Sequence, residues 1–557
     1  MVSQSLLRRL YSSAAAKSVR PTTDITTKSQ PRLSKLSKTA LFLTGTFGLT
    51  YIYDKTINES TITRTIKAFY TLGLIGYDYK FRFNEKNDIS ALHEHNADRL
   101  FNLLMENKGL YIKLGQNLAN QASVFPKSFQ EKFAKLYDSA SIDPEEKVEQ
   151  ILIEELGINY MDNFNYIDKK PVASASIAQV HKGELKSGEK VAIKVQHYYI
   201  AKQIDADLFT YAIFNRLYEK AFEIPIAFVS DYIAEHLKEE VDFNIELNNS
   251  LKVKELIARD VYLKNKIHVP KVYKELSTKR VLTAEWCDGD SLVSYDSLKT
   301  KYDTKKIMND YLTIFSKMIF EWGFVHSDPH PGNILVRYNE QSGKQQLVLL
   351  DHGLYVAIRE NVRHEYCVLW KSLFELNDKE LKKIAVSWGI GKDQSDMFAS
   401  FSLLKPYHKT ADNLSKMSRF EREKYMSQNF KKFFQDTEKF PLELVFLGRT
   451  MRIVQTVNQR FKAPVNRINL FTKEAVKGFY LNEPKVNYTL SRTLDRTVRY
   501  TIFSLLMSIS DLTFYLTRFS SYLFGTKNVE DLLQAKMVQE MKQMGIDAPQ
   551  DVQLFDG

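Results

Sequence analysis

In the stretch FVHSDPHPGNILV, residues 324–336, a histidine, an aspartate and an asparagine share a short apolar frame, with Asp328 and Asn333 five residues apart. A carboxylate can take the proton from an attacking hydroxyl or polarise it, and a carboxamide oxygen can hold Mg2+. An Asp-x4-Asn pair therefore suits phosphoryl transfer. Ser327 precedes the aspartate and PHPG fills the gap, so by itself the stretch also reads as a proline-rich turn. Companion groups elsewhere in the chain must decide between the two.

The companions occur in order. VAIK, 191–194, has the form of a strand that carries a phosphate-binding lysine, Lys194. Before it comes a loop of small residues, Ala173, Ser174, Ala175 and Ser176, where a glycine-rich phosphate loop would stand. Small side chains let phosphates approach the backbone, but alanine gives less access to positive φ than glycine, so this loop should be stiffer. Residues 228–259 read as a helix, and Glu240 and Glu246 are both candidates to orient Lys194, with Asp242 between them. RVLTAEWCDGDSL, 280–292, reads as a strand entering a hinge, where the backbone from Glu285 to Cys287 would meet an adenine edge. QQLVLLDHGLY ends an apolar strand on Asp351-His352-Gly353, and Asp351 supplies hard oxygen for Mg2+.

These groups need particular elements to hold them. Ile177 and Val180, the turn KSGE, and Val191, Ile193 and Val195 alternate as a β-hairpin. YLTIFSKMIFEWG reads as the helix that leads into 324–336. Small-residue loop, strand lysine, helix acid, hinge, Asp-x4-Asn and Asp-x-Gly follow protein-kinase order, each on its expected element. After Asp351-His352-Gly353 there is no A-P-E and no long segment to present a peptide, although the nucleotide machinery is complete.

The combination resembles the aarF/ABC1/UbiB atypical kinases, whose members act in coenzyme Q and mitochondrial lipid metabolism. KLGQ at 113–116, SIAQVH at 176–181 with the alanine-rich loop, EVD at 240–242 and HSDPHPGN at 326–333 carry the likeness, over roughly residues 85–360. Within the family it is similar to fungal inner-membrane proteins related to mammalian aarF-domain kinase one. Ser174 departs from the alanine that many members carry there. The resemblance implies that the KLGQ helices fold over the active site. Lys113 and Gln116 would then meet the Glu240 and Asp242 acids and occlude a protein-substrate groove. It also implies ATP and Mg2+ as cofactors.

Composition sets outer limits. The 557 residues are 44% hydrophobic and 26% charged, ordinary for a globular chain. Cys287 and Cys367 are too few for a disulfide framework. The net charge is +11, but residues 1–38 hold eight Lys or Arg against Asp24, leaving only +4 for the rest. No basic, aromatic-interleaved patch marks a nucleic-acid site. Residues 1–20 are rich in Arg, Ser and Ala and read as a mitochondrial presequence, followed by a basic linker at 21–38. Uncharged residues 39–53 are expected to form a short transmembrane anchor. Positive charge ahead of it would turn the following domain toward the intermembrane space, the alternative being the matrix.

The expected architecture is an α/β (α+β) protein-kinase-like bilobal fold with helical N- and C-terminal regions. Its parts are a helical extension at 60–160, an N-lobe and hinge at 165–290, a C-lobe at 291–480 and C-terminal amphipathic helices at 481–557. In the last part, residues 502, 505, 506, 509, 512, 516, 519 and 523 form an apolar stripe opposite Ser504, Ser508, Asp511 and Arg518. That helix either packs on the C-lobe or lies on a membrane surface. The functional expectation is an atypical kinase or ATPase at the inner membrane. Asp328 would be its base or polariser, Lys194 and residues 173–176 would hold phosphates, and Asn333 and Asp351 would hold Mg2+. Its partner would be a membrane lipid or a prenyl-quinone-type molecule, in support of coenzyme Q and lipid homeostasis. The alternatives are a protein kinase and a non-enzymatic, nucleotide-gated lipid carrier or scaffold.

Overall fold

The computed structural model describes residues 35–120, 126–138, 141–222, 225–375, 377–391, 436–481 and 490–524, with isolated positions between 418 and 433 and at 532 and 535. The presequence and most of the basic linker lie outside the described residues. The chain divides into two units after Ile57.

The first unit holds α1, Lys35–Thr56, whose 22 residues extend about 33 Å as helix. The length would reach across hydrocarbon. The composition does not: no helix among the described residues is both long and apolar enough to cross a membrane. This corrects the expected anchor at 39–53. Thr44, Gly45, Thr46, Gly48 and Thr50 dilute the Leu and Phe residues, and Lys38 and Asp54 close the run on both sides.

The second unit opens with helices α2 (Thr61–Arg82), α3 (Ile89–Asn107), α4 (Leu110–Asn120), α5 (Lys127–Ala134) and α6 (Glu145–Leu156). Ala68, Leu103, Leu104, Tyr111, Phe133 and Leu136 form the core shared by α2 to α5 and the turn after them, while α6 packs on the sheet that follows. α4 carries KLGQ and packs closely. A Cβ on Gly115 would collide with the Leu136 side chain and come within 2.8 Å of that of Leu104, so any larger residue requires both leucines to move.

An antiparallel sheet follows. It contains β1 (Phe164–Ile167), β2 (Ala173–Ser174), β3 (Ala178–Leu185) and β4 (Lys190–Gln196). The order is β1-β3-β4-β6, with β2 paired to β3; β6 is reached after helices α7 (Ile200–Phe222), α8 (Ala227–Glu240) and α9 (Phe243–Arg259) and the short β5 (Ile267–His268). β6 itself is Val281–Glu285. β3 and β4 make the expected hairpin. Val191, Ile193 and Val195 point to one face and bury against Val148, Ile151 and Leu152 of α6. The two-residue period of a strand puts Lys194 on the other face, toward α9.

Residues 228–259 are two helices rather than one. α8 stops at Glu240, and Asp242 caps α9 by accepting the Asn244 N–H at 3.0 Å. Asp242 is thus a structural cap that begins a new axis.

After the hinge come β7 (Asp290–Ser291), α10 (Tyr295–Lys301) and α11 (Thr304–Lys317). Then follow β8 (Phe324–His326), β9 (Ile334–Tyr338), β10 (Gln345–Leu349) and β11 (Tyr355–Ala357). One small sheet has the order β5-β10-β9-β7, and β8 pairs with β11. Helices α12 (Glu360–Phe374), α13 (Asp378–Ser387), α14 (Glu443–Arg460), α15 (Arg467–Leu481) and α16 (Leu490–Phe524) complete this part. Its core surrounds α11 and includes Tyr311, Phe315, Phe320, Trp370 and Phe471. A sheet-bearing lobe, a hinge strand and a helical lobe give the protein-kinase-like bilobal fold, with helices before and after it.

Candidate functional site

The catalytic-type loop is held from three sides. α11 widens into a π turn at Met318–Trp322 and ends at Gly323, whose φ of 60° suits glycine. The chain then enters β8, which carries His326 to the loop. Buried Tyr311 donates its hydroxyl to the Pro329 carbonyl at 3.1 Å, and Thr450 of α14 donates to the His326 carbonyl at 3.1 Å. The proline-rich stretch is a fixed platform for Asp328, not a loose turn.

Asp328 sits between two cations. Arg449 Nη2 lies 2.9 Å from its Oδ2, and Lys113 Nζ lies 3.4 Å from the same atom. Burial alone would raise this carboxyl, but Arg449 and Lys113 outweigh it and hold Asp328 well below the usual carboxylate range. Lys113 also pairs with Glu240. Burial opposes its charge, while Glu240 and Asp328 more than offset that and keep the ammonium protonated.

Between the candidates for Lys194, the structure selects Glu246. Lys194 Nζ lies 2.8 Å and 3.1 Å from the two Glu246 oxygens and 4.0 Å from Asp351 Oδ1. Glu240 serves Lys113 instead, one helix earlier. Desolvation opposes the charge on half-buried Lys194, yet Glu246 and Asp351 raise its pKa and keep it cationic. Of the KLGQ residues, Lys113 meets Glu240 as the resemblance implies. Gln116 Nε2 donates to the Leu136 carbonyl at 3.2 Å, and Asp242 is occupied at the α9 cap.

Asp351 accepts from Asn333 Nδ2 at 3.1 Å and from the Gly353 N–H at 2.8 Å. Burial pushes its carboxyl up, and Lys194 and Lys113 pull it further down, to about 2. His352 takes the place of the aromatic residue in a D-F-G turn. It is pinned between the Tyr355 hydroxyl at 3.0 Å and the Leu349 carbonyl at 3.1 Å, and burial draws its pKa down to about 3.

The donors fit Mg2+. Asp351 offers an ionised oxygen, and Asn333 beside it offers a carboxamide oxygen once the amide turns over. Lys194 and Lys113 supply positive charge suited to phosphates.

The small-residue loop is tethered rather than merely stiff. Ala173 and Ser174 pair with Val180 and Gln179. Ser174 Oγ donates to the Ser141 carbonyl at 2.8 Å, the Ala175 N–H donates to the Ala178 carbonyl at 2.8 Å, and buried His197 Nε2 contacts the Ala175 carbonyl at 2.9 Å. Ser176 is buried. No residue from 173 to 176 takes positive φ. Bonds, more than the absence of glycine, set the loop's shape.

At the hinge, the Glu285 side chain is taken by His268 Nε2 at 3.1 Å and the Lys271 N–H at 2.9 Å. The Glu285 and Trp286 amides bond the Lys271 and Lys190 carbonyls. Cys287, buried, is the residue whose backbone remains to meet a base edge, and burial pushes its thiol up to about 12.

Arg449 was not among the residues singled out from the sequence. FLGRTMRIVQ reads as an ordinary amphipathic helix, and nothing local marks the arginine. It reaches Asp328 because Glu443, at the start of α14, grips Arg359 at 2.6 and 3.0 Å while Thr450 bonds the His326 carbonyl.

Several known proteins are similar to this chain. A model of the ABC1 atypical kinase-like domain matches residues 135–385. An ABC1 family protein of Schizosaccharomyces pombe is 40% identical, the match covering 77% of this chain and 81% of that one. AarF domain-containing protein kinase 1 of Xenopus laevis is 32% identical, covering 65% and 70%. Among solved structures, a Mycobacterium tuberculosis protein in complex with erythromycin is similar over 71% of this chain and 98% of that one, at 20% identity and a TM-score of 0.41.

Proposed function

The chain belongs to the ABC1 family of atypical kinase-like proteins, and from that premise we propose that it is an atypical kinase or ATPase that uses ATP with Mg2+ on a small or lipid-like acceptor. One observation carries this: Lys194, Glu246, Asp328, Asn333 and Asp351, from four elements, converge in one largely desolvated charged cluster in which Glu246 is buried and the others keep partial access to solvent. Positioned charge of this kind accounts for most of phosphoryl-transfer catalysis.

Lys194, oriented by Glu246, would bind phosphate oxygens beneath the tethered 173–176 loop. Asp351 and Asn333 would hold Mg2+, which supplies charge neutralisation for the phosphates. Asp328 would orient an acceptor hydroxyl and take its proton. With two cations beside it, Asp328 is a weak base, so polarising and orienting the hydroxyl is its main work. Lys113, delivered by the N-terminal extension, occupies the acceptor side of Asp328 and favours a compact acceptor over a folded protein. We extend the proposal to prenyl-quinone or membrane-lipid chemistry that supports coenzyme Q and lipid homeostasis in mitochondria. The family resemblance and the Arg-, Ser- and Ala-rich leader support this extension. No helix among the described residues is long and apolar enough to stop transfer across a bilayer.

Mg-ATP turnover by the full chain, together with lipid profiles of cells with wild type, Asp351→Asn or no protein, tests the proposal. Turnover lost in Asp351→Asn, with lipid changes matching the deletion, supports it. A mutant that turns over ATP and restores lipids like wild type overturns it.

A further inference from the structure

α16 presents its apolar stripe outward. Phe503, Met507 and Phe514 are buried, the first two against Val476 of α15 and Phe374 of α12. Polar bonds hold the same face. Asn469 donates to the Met507 carbonyl at 3.1 Å and to Asp511 at 2.8 Å, Lys473 pairs with Asp511 at 2.6 Å, and Arg518 reaches the Ala463 carbonyl at 3.2 Å. The helix does pack on the C-lobe, but through the face that carries Asp511 and Arg518. Leu505, Ile509, Leu512, Leu516, Phe519 and Leu523 are each more than half exposed. A solvent-facing helix side is normally polar. From Ile502 to Leu523 this ridge runs about 30 Å, and an apolar patch of that extent marks an interaction site.

The shape and charge select the occupant. The patch is a one-helix ridge with aromatic Tyr515 and Tyr522 among its residues, matched to a fluid apolar layer with an interfacial aromatic rim. Two cations flank it beyond the mutually neutralised Lys473–Asp511 pair: Lys305 lies over the Tyr515 ring at 4.1 Å, and Arg518 at the packed edge meets the Ala463 carbonyl. Asp511, the one acid among residues 501–524, is neutralised by Lys473. An apolar stripe rimmed by cations is complementary to an anionic bilayer surface. We propose that the outward face of α16 is a docking surface for membranes containing anionic phospholipids, with the helix lying in the interfacial plane. This does not depend on phosphoryl transfer.

The test is vesicle flotation with the full chain, using phosphatidylcholine vesicles with or without an anionic phospholipid. Wild type should float with the anionic vesicles. Leu512→Glu combined with Leu516→Glu, both at exposed positions, should lower that binding about tenfold or more while leaving the Mg-ATP thermal shift intact. Lys305→Glu, which leaves the stripe whole, should weaken anionic binding selectively and provides a second arm should the double variant fail to fold. Flotation unchanged in both variants overturns the proposal. So does a wild-type dimer that the double variant converts to monomer without any vesicle binding, since a second copy would then be the occupant.

Discussion

Arg449 Nη2 lies 2.9 Å from Asp328 Oδ2, so a helix late in the chain supplies a guanidinium to the catalytic-type aspartate. The residue just before Asp328, where a kinase loop has arginine, is Ser327, which is buried and bonds the Val325 carbonyl at 3.3 Å. The positive charge at this loop therefore comes from tertiary packing. Arg449→Met should let the Asp328 pKa rise toward the ordinary carboxylate range, because the opposite charge that most favoured the carboxylate is gone. The acid limb of the pH profile for ADP release should then move to higher pH, while the Mg-ATP thermal shift stays as in wild type. An acid limb that does not move means Arg449 leaves Asp328 unaffected.

Glu246 is almost fully buried against Lys194. Glu246→Gln leaves the half-buried Lys194 ammonium with Asp351, 4.0 Å away, as its remaining counter-charge and should cost about 1–3 kcal/mol of stability. Much of that should return when Lys194→Met is added, since neither charge is then stranded. A denaturant-unfolding double-mutant cycle measures the coupling, and strict additivity would rule the pair out as a coupled unit.

Asp351→Asn exchanges the strongest oxygen donor for a neutral amide. The Mg2+-dependent part of the ATP thermal shift should vanish, while any metal-free nucleotide shift persists. An equal Mg2+-dependent shift in the mutant would assign the metal elsewhere.

Ser174→Ala removes the hydroxyl tether to the Ser141 carbonyl. The net cost should be about 0.5–1.5 kcal/mol. Hydrogen exchange at residues 173–176 should quicken, and ATP affinity should rise as the loop gains freedom to close on phosphates. Weaker ATP binding would mean that the tethered shape is itself the cradle.

Gly115→Ala tests the close seat of α4. The added methyl collides with Leu136 and crowds Leu104, so unfolding should become easier by about 1–3 kcal/mol. Because α4 also carries Lys113, the Lys113 contacts to Glu240 and Asp328 should loosen with it. A thermal midpoint equal to wild type would show that the packing yields at no cost.

Much of the site was legible in the chain because its signals are local. The hairpin that lifts Lys194 follows from alternating Val and Ile around KSGE. Asp351-His352-Gly353 ends an apolar strand as its pattern requires, and Asp328 and Asn333 share one loop by spacing alone. The two-lobed fold followed from the order of these pieces. Other features depended on which surfaces meet in space. Glu240 and Glu246 are equally acidic and equally helical in sequence. Only the break at Asp242, which turns α9 onto its own axis, gives Glu246 to Lys194 and Glu240 to Lys113. Arg449 has no local mark, since its role arises from the docking of α14 through Glu443 and Thr450. The 39–53 run misled because absence of charge is not the same as apolarity, and its threonines and glycines lower the transfer gain. In α16 the amphipathic pattern was plain, but periodicity cannot say which face meets the protein. Phe503, Met507 and the bonds to Asp511 settle that face against α15, leaving the broader apolar stripe outward. Sequence pattern determines what each element is able to bury, and tertiary contacts decide what it buries and against which partner.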